Sequence, residues 1–306
     1  MAEVRIGTSG WLYKGWNDRF YPDTLPRKRV LAYSAERFNS VEVNGSFYSL
    51  QRPQTYRSWY EQTPARFLFA LKGSRFITHN KKLHDVEGPL ANFFASGILL
   101  LADKLGPIVW QLPASARFDP ERLAAFFAVL PRDTRAAARL ARRHDHRVAG
   151  HSWTCAIGTR PIRHAIEVRN AAFFVSEFVR LARRYDIAVV CSDAPDWPRV
   201  EEVTASFVYV RLHGAERKYV SRYDDAALDA WARRIAHWRS GGEPPDARRI
   251  TDLKPPRRKT RDVFAYFDND YEANAPNDAL RLAARVGPQP APEEYAVGPL
   301  NPSCPL

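Results

Sequence analysis

The chain has 306 residues and a formal charge of +12, from 46 Lys and Arg against 34 Asp and Glu; it is 45% hydrophobic, 12% aromatic and 26% charged. This composition excludes a chain disordered throughout and is ample for one domain of α/β-barrel size. No apolar run approaches the roughly 18 residues of a membrane span, and MAEVRIGTSGW has no leader-like apolar stretch. No membrane partner is therefore expected, and the cytoplasm is the expected compartment. Cys155, Cys191 and Cys304 are scattered without CxxC spacing, which points to reduced thiols.

In chain order, VRIGTSG (4–10) reads as a buried strand ending in a turn, and 27–38 repeats apolar residues at helical spacing. SVEVNGSF (40–47) and FLFALKG (67–73) read as the second and third strands, followed by a long helical stripe over 84–104. PIVWQLP (107–113) is the fourth strand, and 120–130 is a helix with Asp119 as its N-cap. Residues 132–162 look like a loop inserted after that strand. HAIEVRN (164–170), a helix at 172–185 and AVVCSDA (188–194) continue the alternation. Between 194 and 207 there is room only for a short helical turn. FVYVRLHG (207–214), a helix at 224–239, DVFAYFDND (262–270) and a helix at 274–286 complete the set. Residues 240–261, rich in Gly, Pro and Arg, read as a second inserted loop, exposed or partly disordered, and 287–306 as a Pro-rich tail. Strands alternating with helices imply a parallel sheet, and eight repeats favour closure. The expected fold is one α/β domain over 1–306, a single (β/α)8 TIM-like barrel with insertions after strand 4 and before strand 8.

Side chains two apart in a strand share a face. Val41 and Val43 thus oppose Glu42 and Asn44, Ile166 and Val168 oppose Glu167 and Arg169, and Val210 and Leu212 oppose Arg211 and His213. Gln111 is in phase with Val109, and Cys191 with Asp193; Lys72 ends the third strand, Asp268 and Asn269 the eighth. Apolar residues belong against the outer helices, so the polar set faces the interior or its mouth. Buried unpaired, such groups cost several kcal/mol each, so they must satisfy one another or a ligand. A structural ion-pair network is one reading. A ligand site is preferred, because barrel enzymes place their chemistry at the carboxyl ends of the strands.

The same segments carry a resemblance. IGTSGWLYKGWNDRFYP, FNSVEVNGSFY, Thr63–Pro64 before FLFALKGSRFITH, and the later QLP, VYVRLHG and YFDND resemble, in order over about residues 4–286, the domain-of-unknown-function 72, or YecE-like, family. The resemblance implies a barrel related to the TIM type with a pocket at its top face, and implies no activity. Two departures stand out: EVRNAAF puts Asn170 where members usually carry His, and 132–162 looks longer than usual.

Other motifs were weighed beside these. Trp11 and Tyr13 follow the first strand and offer either a stacking wall or part of a hydrophobic plug, which is the preferred role of Phe20 and Tyr21. His79, in SRFITHNKKL, is an acid–base candidate supported by the family match. His144, His146 and His151 lie in an arginine-rich stretch and read as a solvated loop, so no metal site is assigned to them. There is no GxSxG elbow and no GxGxxG fingerprint. Glu42 and Glu167, three strands apart, can divide acid and base roles across the mouth, or share a divalent metal with Asp193, His213 or Asp268.

The expectation is an enzyme, a hydrolase or an isomerase or lyase, acting on a small polar or anionic molecule, phosphorylated or sugar-like. Glu42, Glu167 and His213 are the catalytic candidates. Trp11, Tyr13, Asn44, Lys72, His79, Gln111, Arg169, Asp193, Arg211, Asp268 and Asn269 are the ligand-binding candidates, and no cofactor is indicated. The alternative is a nucleic-acid-binding or repair-type barrel, suggested by the charge and by the arginines of 132–150 and 248–261.

Overall fold

The computed structural model describes residues 2–287, so the expected Pro-rich tail lies, but for Gly287, outside the described residues. Each of the eight expected strands is present. They are β1 (Val4–Thr8), β2 (Ser40–Val43), β3 (Leu68–Lys72), β4 (Leu105–Gln111), β5 (His164–Glu167), the pair β6 (Ile187–Val189) and β7 (Cys191–Asp193), β8 (Phe207–Leu212) and β9 (Asp262–Phe267). All pairings are parallel and form two sheets, β1-β9-β8-β7 and β2-β3-β4-β5-β6. The fold is thus α/β with parallel sheets, and the ladder does not run unbroken round a closed barrel.

The two sheets meet at two seams. At one, Ser9 and Glu42 form a parallel bridge and Gly10 N donates to Glu42 O at 2.7 Å. The approach is close enough that a Cβ on Gly7 would stand 1.9 Å from Ser40 O. At the other, the sixth expected strand breaks at Val190, whose N–H donates to Ile166 O at 2.9 Å before the chain passes from β6 to β7.

Burial on both faces of parallel strands explains their β-branched, aromatic composition. One face packs against the helices, where Ile6, Val41, Val43, Leu71, Ile166, Val210 and Leu212 join the larger core. The opposite face makes a second, smaller core from Ala70, Val109, Ala165, Ala188, Val190, Phe207, Tyr209, Phe264 and Tyr266. The polar residues discussed below lie just beyond this inner core, toward the strands' carboxyl ends.

The helices Val30–Ala35, Pro120–Val129, Ser176–Arg184, Asp225–Arg239 and Asn274–Val286 fall where the spacing places them, and Asp119 caps the second by accepting from Arg122 N at 3.0 Å. A helix at Pro53–Glu61, opened by its proline, was not read from the sequence. Two expectations need correction. The stripe over 84–104 is not one helix: Glu87–Ala95 stops at Gly97, at φ +117°, and a tighter 3₁₀ segment follows. A Cβ there would lie 2.6 Å from Pro53 Cα, so the break is built into the packing. Residues 132–162 are not only loop, since Asp133 caps a helix at Thr134–Ala141 by accepting from Ala136 N at 2.7 Å. Between 194 and 207 a short turn at 195–196 and a bend at Trp197 fill the limited room, and irregular chain follows. Its Glu202 takes Arg183 Nη2 at 2.8 Å and accepts from Ile250 N and Thr251 N at 2.8 and 3.1 Å, tying down the 240–261 loop as well.

Among the described residues no helix is long and apolar enough to cross a membrane. Cys191 is a free, buried thiol, but Cys155 is disulfide-bonded, against the expectation of reduced thiols; no spacing in the sequence announces it.

Candidate functional site

The inner faces of β2, β5 and β8, with the residue after β9, converge on one guanidinium. Arg211 Nη2 lies 2.8 Å from Glu42 Oε1, Nη1 2.9 Å from Glu167 Oε2, and Nη2 3.1 Å from Asp268 Oδ2. Arg211, Glu42 and Glu167 are fully buried. The period-two reading is correct here. Turning Arg211 outward would have set a guanidinium against apolar helices, at a cost no surface pair offsets.

The carboxylates are further saturated by neutral donors. Tyr209 donates to Glu42 Oε2 at 2.6 Å, and Ser9 Oγ donates a short bond to Oε1. Ser192 Oγ donates to Glu167 Oε1 at 2.9 Å, and Arg169 Nη2 approaches the same carboxylate at 3.3 Å. Burial alone would raise the pKa of Glu167, but Arg211 and Arg169 outweigh it and hold the group well below the carboxylate range. Asp268 is pulled down to about 2 the same way, burial being overcome by Arg211, His213 and Lys72. The His213 ring is wholly buried between Trp197 and Tyr219, rather than open at the mouth. Its Nε2 lies 3.5 Å from Glu167 Oε1, and its Nδ1 lies 3.0 Å from Asp268 Oδ2 but off the direction of a hydrogen bond.

Above this cluster stands a less satisfied rim. Lys72, at the end of β3, is 7% exposed, and its ammonium rests 4.4 Å from the centre of the Phe47 ring. Burial and then the nearby Arg211 lower its pKa to about 8, despite the three carboxylates. His79 packs edge-on against the same ring at 5.2 Å, and burial, Arg75 and Lys72 lower its pKa. Arg169 stacks 3.5 Å over Trp197 and donates to Gln111 Oε1 at 2.9 Å, leaving its buried Nε without a partner. Tyr13 donates to Ser9 O at 2.5 Å beside Asn44 and Asp270. Asn44 gives its amide hydrogens to Ser9, while its Oδ1 and Asp270 Oδ1 are buried and unpartnered. Burial, then the Asp268 charge, pushes Asp270 up to about 8.

Glu42, Glu167, Arg211, His213 and Asp268 therefore meet directly, with Arg169 and Gln111 attached and Asn44, Tyr13, Lys72 and His79 around them. Three candidates lie apart. Asp193 points to the helical side, because the break at Val190 makes Ser192 the inward residue opposite Arg211. Its carboxylate meets Arg199 Nη1 at 3.2 Å and Tyr223 OH at 3.0 Å, beside a cavity of about 370 Å³ under Trp231. Asn269 donates to Asp278 Oδ2 and Ser221 O, both at 2.9 Å, and Trp11 packs edge-on against Trp59 at 5.3 Å. Ser192, Tyr209, Trp197 and Asp270 were missed. Asp270 was legible, two residues beyond Asp268 in FDND, whereas Trp197 is brought in by an irregular segment with no periodicity. Among the described residues no group of three or more His, Cys, Asp or Glu is arranged to hold a metal ion.

Fold and site together define a parallel α/β protein with an arginine-centred carboxylate cluster at the strand ends. The chain belongs to the family described as protein of unknown function DUF72, whose profile matches residues 5–298. It is 29% identical to the UPF0759 protein YunF of Bacillus subtilis (strain 168), over 91% of this chain and 93% of that protein. It is 34% identical to the UPF0759 protein YecE of Escherichia coli (strain K12) over 31% of this chain and 34% of that one. In fold it is similar to a DUF72 family protein from Thermotoga maritima, with a TM-score of 0.69 and 20% identity over 92% of this chain and 98% of the other. A DUF72 family protein from Enterococcus faecalis gives 0.65 and 14% over 92% and 95%.

Proposed function

We propose that this protein is an enzyme acting on a small polar, anionic molecule, phosphorylated or sugar-like, bound at the rim above the Arg211 cluster. The observation that carries the reading is Lys72: a lysine only 7% exposed, whose ammonium has no hydrogen-bond or ion-pair partner among the described residues and keeps its tip open toward the rim. A largely desolvated cation with no carboxylate within ion-pair distance is poorly compensated, and a ligand's negative charge is a natural complement. Arg169, with its free Nε, is the second cation of this reading. Glu42 and Glu167 act as fixed anions that orient Arg211. Proton transfer passes to Asp270, whose raised pKa keeps a proton to give near neutral pH, and to His79. We also read the two sheets as one TIM-like barrel within a single domain; the Ser9–Glu42 bridge and the one-residue break at Val190 support closure.

The nucleic-acid reading is the weaker one. Arg183, Arg199, Arg234, Arg281 and Arg285 are engaged with carboxylates, although, of the arginines of 132–150 and 248–261, only Arg147 and Arg249 are paired with one among the described residues. Calorimetric titration with a panel of phosphorylated and carboxylated sugars tests the proposal. Lys72→Met and Arg169→Met should each weaken binding at least tenfold, with the circular dichroism spectrum unchanged; unaltered affinity in both overturns it.

A further inference from the structure

We propose that Lys72 is a covalent nucleophile that condenses with a carbonyl compound, so that the rim site holds its ligand as an imine. This rests on the anionic-ligand reading above and adds a bond to it.

The argument is a contrast between two buried lysines. Lys104 is 4% exposed, and its ammonium donates to Tyr60 O and Thr63 O, both at 2.6 Å, and to Thr63 Oγ1 at 3.2 Å. That lysine is a structural tie, with an acceptor for each of its three hydrogens. Lys72, 7% exposed as a residue, has no acceptor among the described residues, and its ammonium lies over the Phe47 face. Its backbone is fixed, because Ser46 Oγ donates to Lys72 O at 2.7 Å. Both amines have pKa values near 8, so the proton equilibrium does not separate them; the absence of acceptors does. An amine tied by three hydrogen bonds cannot present its lone pair, whereas one standing free over an aromatic ring can.

The condensation balances. The ammonium first gives a proton to His79; the neutral Nζ then adds to the carbonyl carbon, a second N–H proton passes to the oxygen, and that hydroxyl leaves as water after taking the first proton back from His79. The product is a protonated imine; no electrons are exchanged. One positive charge stands at Nζ before and after, so Glu42, Glu167 and Asp268 face the same electrostatics in both states. His79, which packs against the same Phe47 ring, is the proposed proton relay.

The full-length protein is incubated at pH 7.5 with glyoxylate, pyruvate or dihydroxyacetone phosphate, reduced with borohydride, digested and mapped by mass spectrometry. At least one probe should label Lys72 tenfold or more above Lys104 and the lysines at 14, 28 and 82, and Lys72→Arg should abolish that label. Wild-type selectivity alone decides the matter should the variant fail to fold. No label at Lys72, or labelling spread evenly over the lysines, overturns the proposal. Calorimetric binding of dihydroxyacetone phosphate without a label overturns the nucleophile while the anion site stands; neither label nor binding removes both.

Discussion

The Arg211 cluster and the Lys72 rim carry similar groups at similar depth, yet differ in how fully those groups are satisfied. At the centre, one guanidinium meets three carboxylates, and Tyr209, Ser9 and Ser192 take up remaining oxygens. At the rim, the Lys72 ammonium lacks an acceptor among the described residues, and Arg169 Nε, Asn44 Oδ1 and Asp270 Oδ1 are buried without partners. A cluster that satisfies itself has little left for a ligand and shapes the floor. A rim that does not is where binding energy remains to be gained.

The largest effect should come from breaking the centre. Arg211→Met leaves three carboxylates without their shared counter-charge and should cost about 3–5 kcal/mol in urea unfolding, or prevent folding. The acid limb sharpens the same point. Asp268 and Glu167 have folded pKa values below their ordinary ones, so the stability they contribute is present above their unfolded values and is lost as the pH falls, for Asp268 toward about pH 2. Asp268→Asn should flatten that limb by on the order of 2 kcal/mol. The rim should respond with the opposite sign. Lys72 has a folded pKa of about 8 against 10.5, so folding disfavours its charged form, and wild-type stability should rise between about pH 8 and pH 10.5. Lys72→Met should stabilise the protein at pH 7 by about 1–3 kcal/mol and remove its share of that rise, in melts across the pH range, leaving the share of Lys104, whose pKa is also lowered to about 8. Ser192→Ala, which removes one donor from Glu167, should cost about 1 kcal/mol.

Much of this architecture was legible in the sequence. Alternation in VEVN, IEVR and VRLH identified Glu42, Glu167 and Arg211 as inward, because regular strands keep strict period two. The same rule failed at Asp193, where the interruption at Val190 changes which residues face in and leaves Ser192 opposite Arg211. Helices with clean apolar spacing were readable, and the break at Gly97 was not, because the close approach of Pro53 that demands it is a tertiary fact. Burial depth was equally invisible: nothing in FVYVRLHG says that Trp197 and Tyr219 cover His213. The difference between Lys72 and Lys104 lies in acceptors contributed by other elements.

The pairing of β1 with β9 also fixes an order of assembly during synthesis. The backbone N–H of Glu3 bonds a carboxylate made 259 residues later, and Glu42 precedes its guanidinium partner by 169. At about 5–20 residues per second, the first strand waits roughly 10 to 50 s for its neighbour to be made, and Glu42 roughly 8 to 35 s for Arg211. Through that interval the nascent chain carries a hydrophobic strand with an open edge and a carboxylate destined for burial that has no counter-ion. Completion of the first sheet edge must therefore wait until β9 is made, and this stretch of the nascent chain is where a chaperone has most to protect.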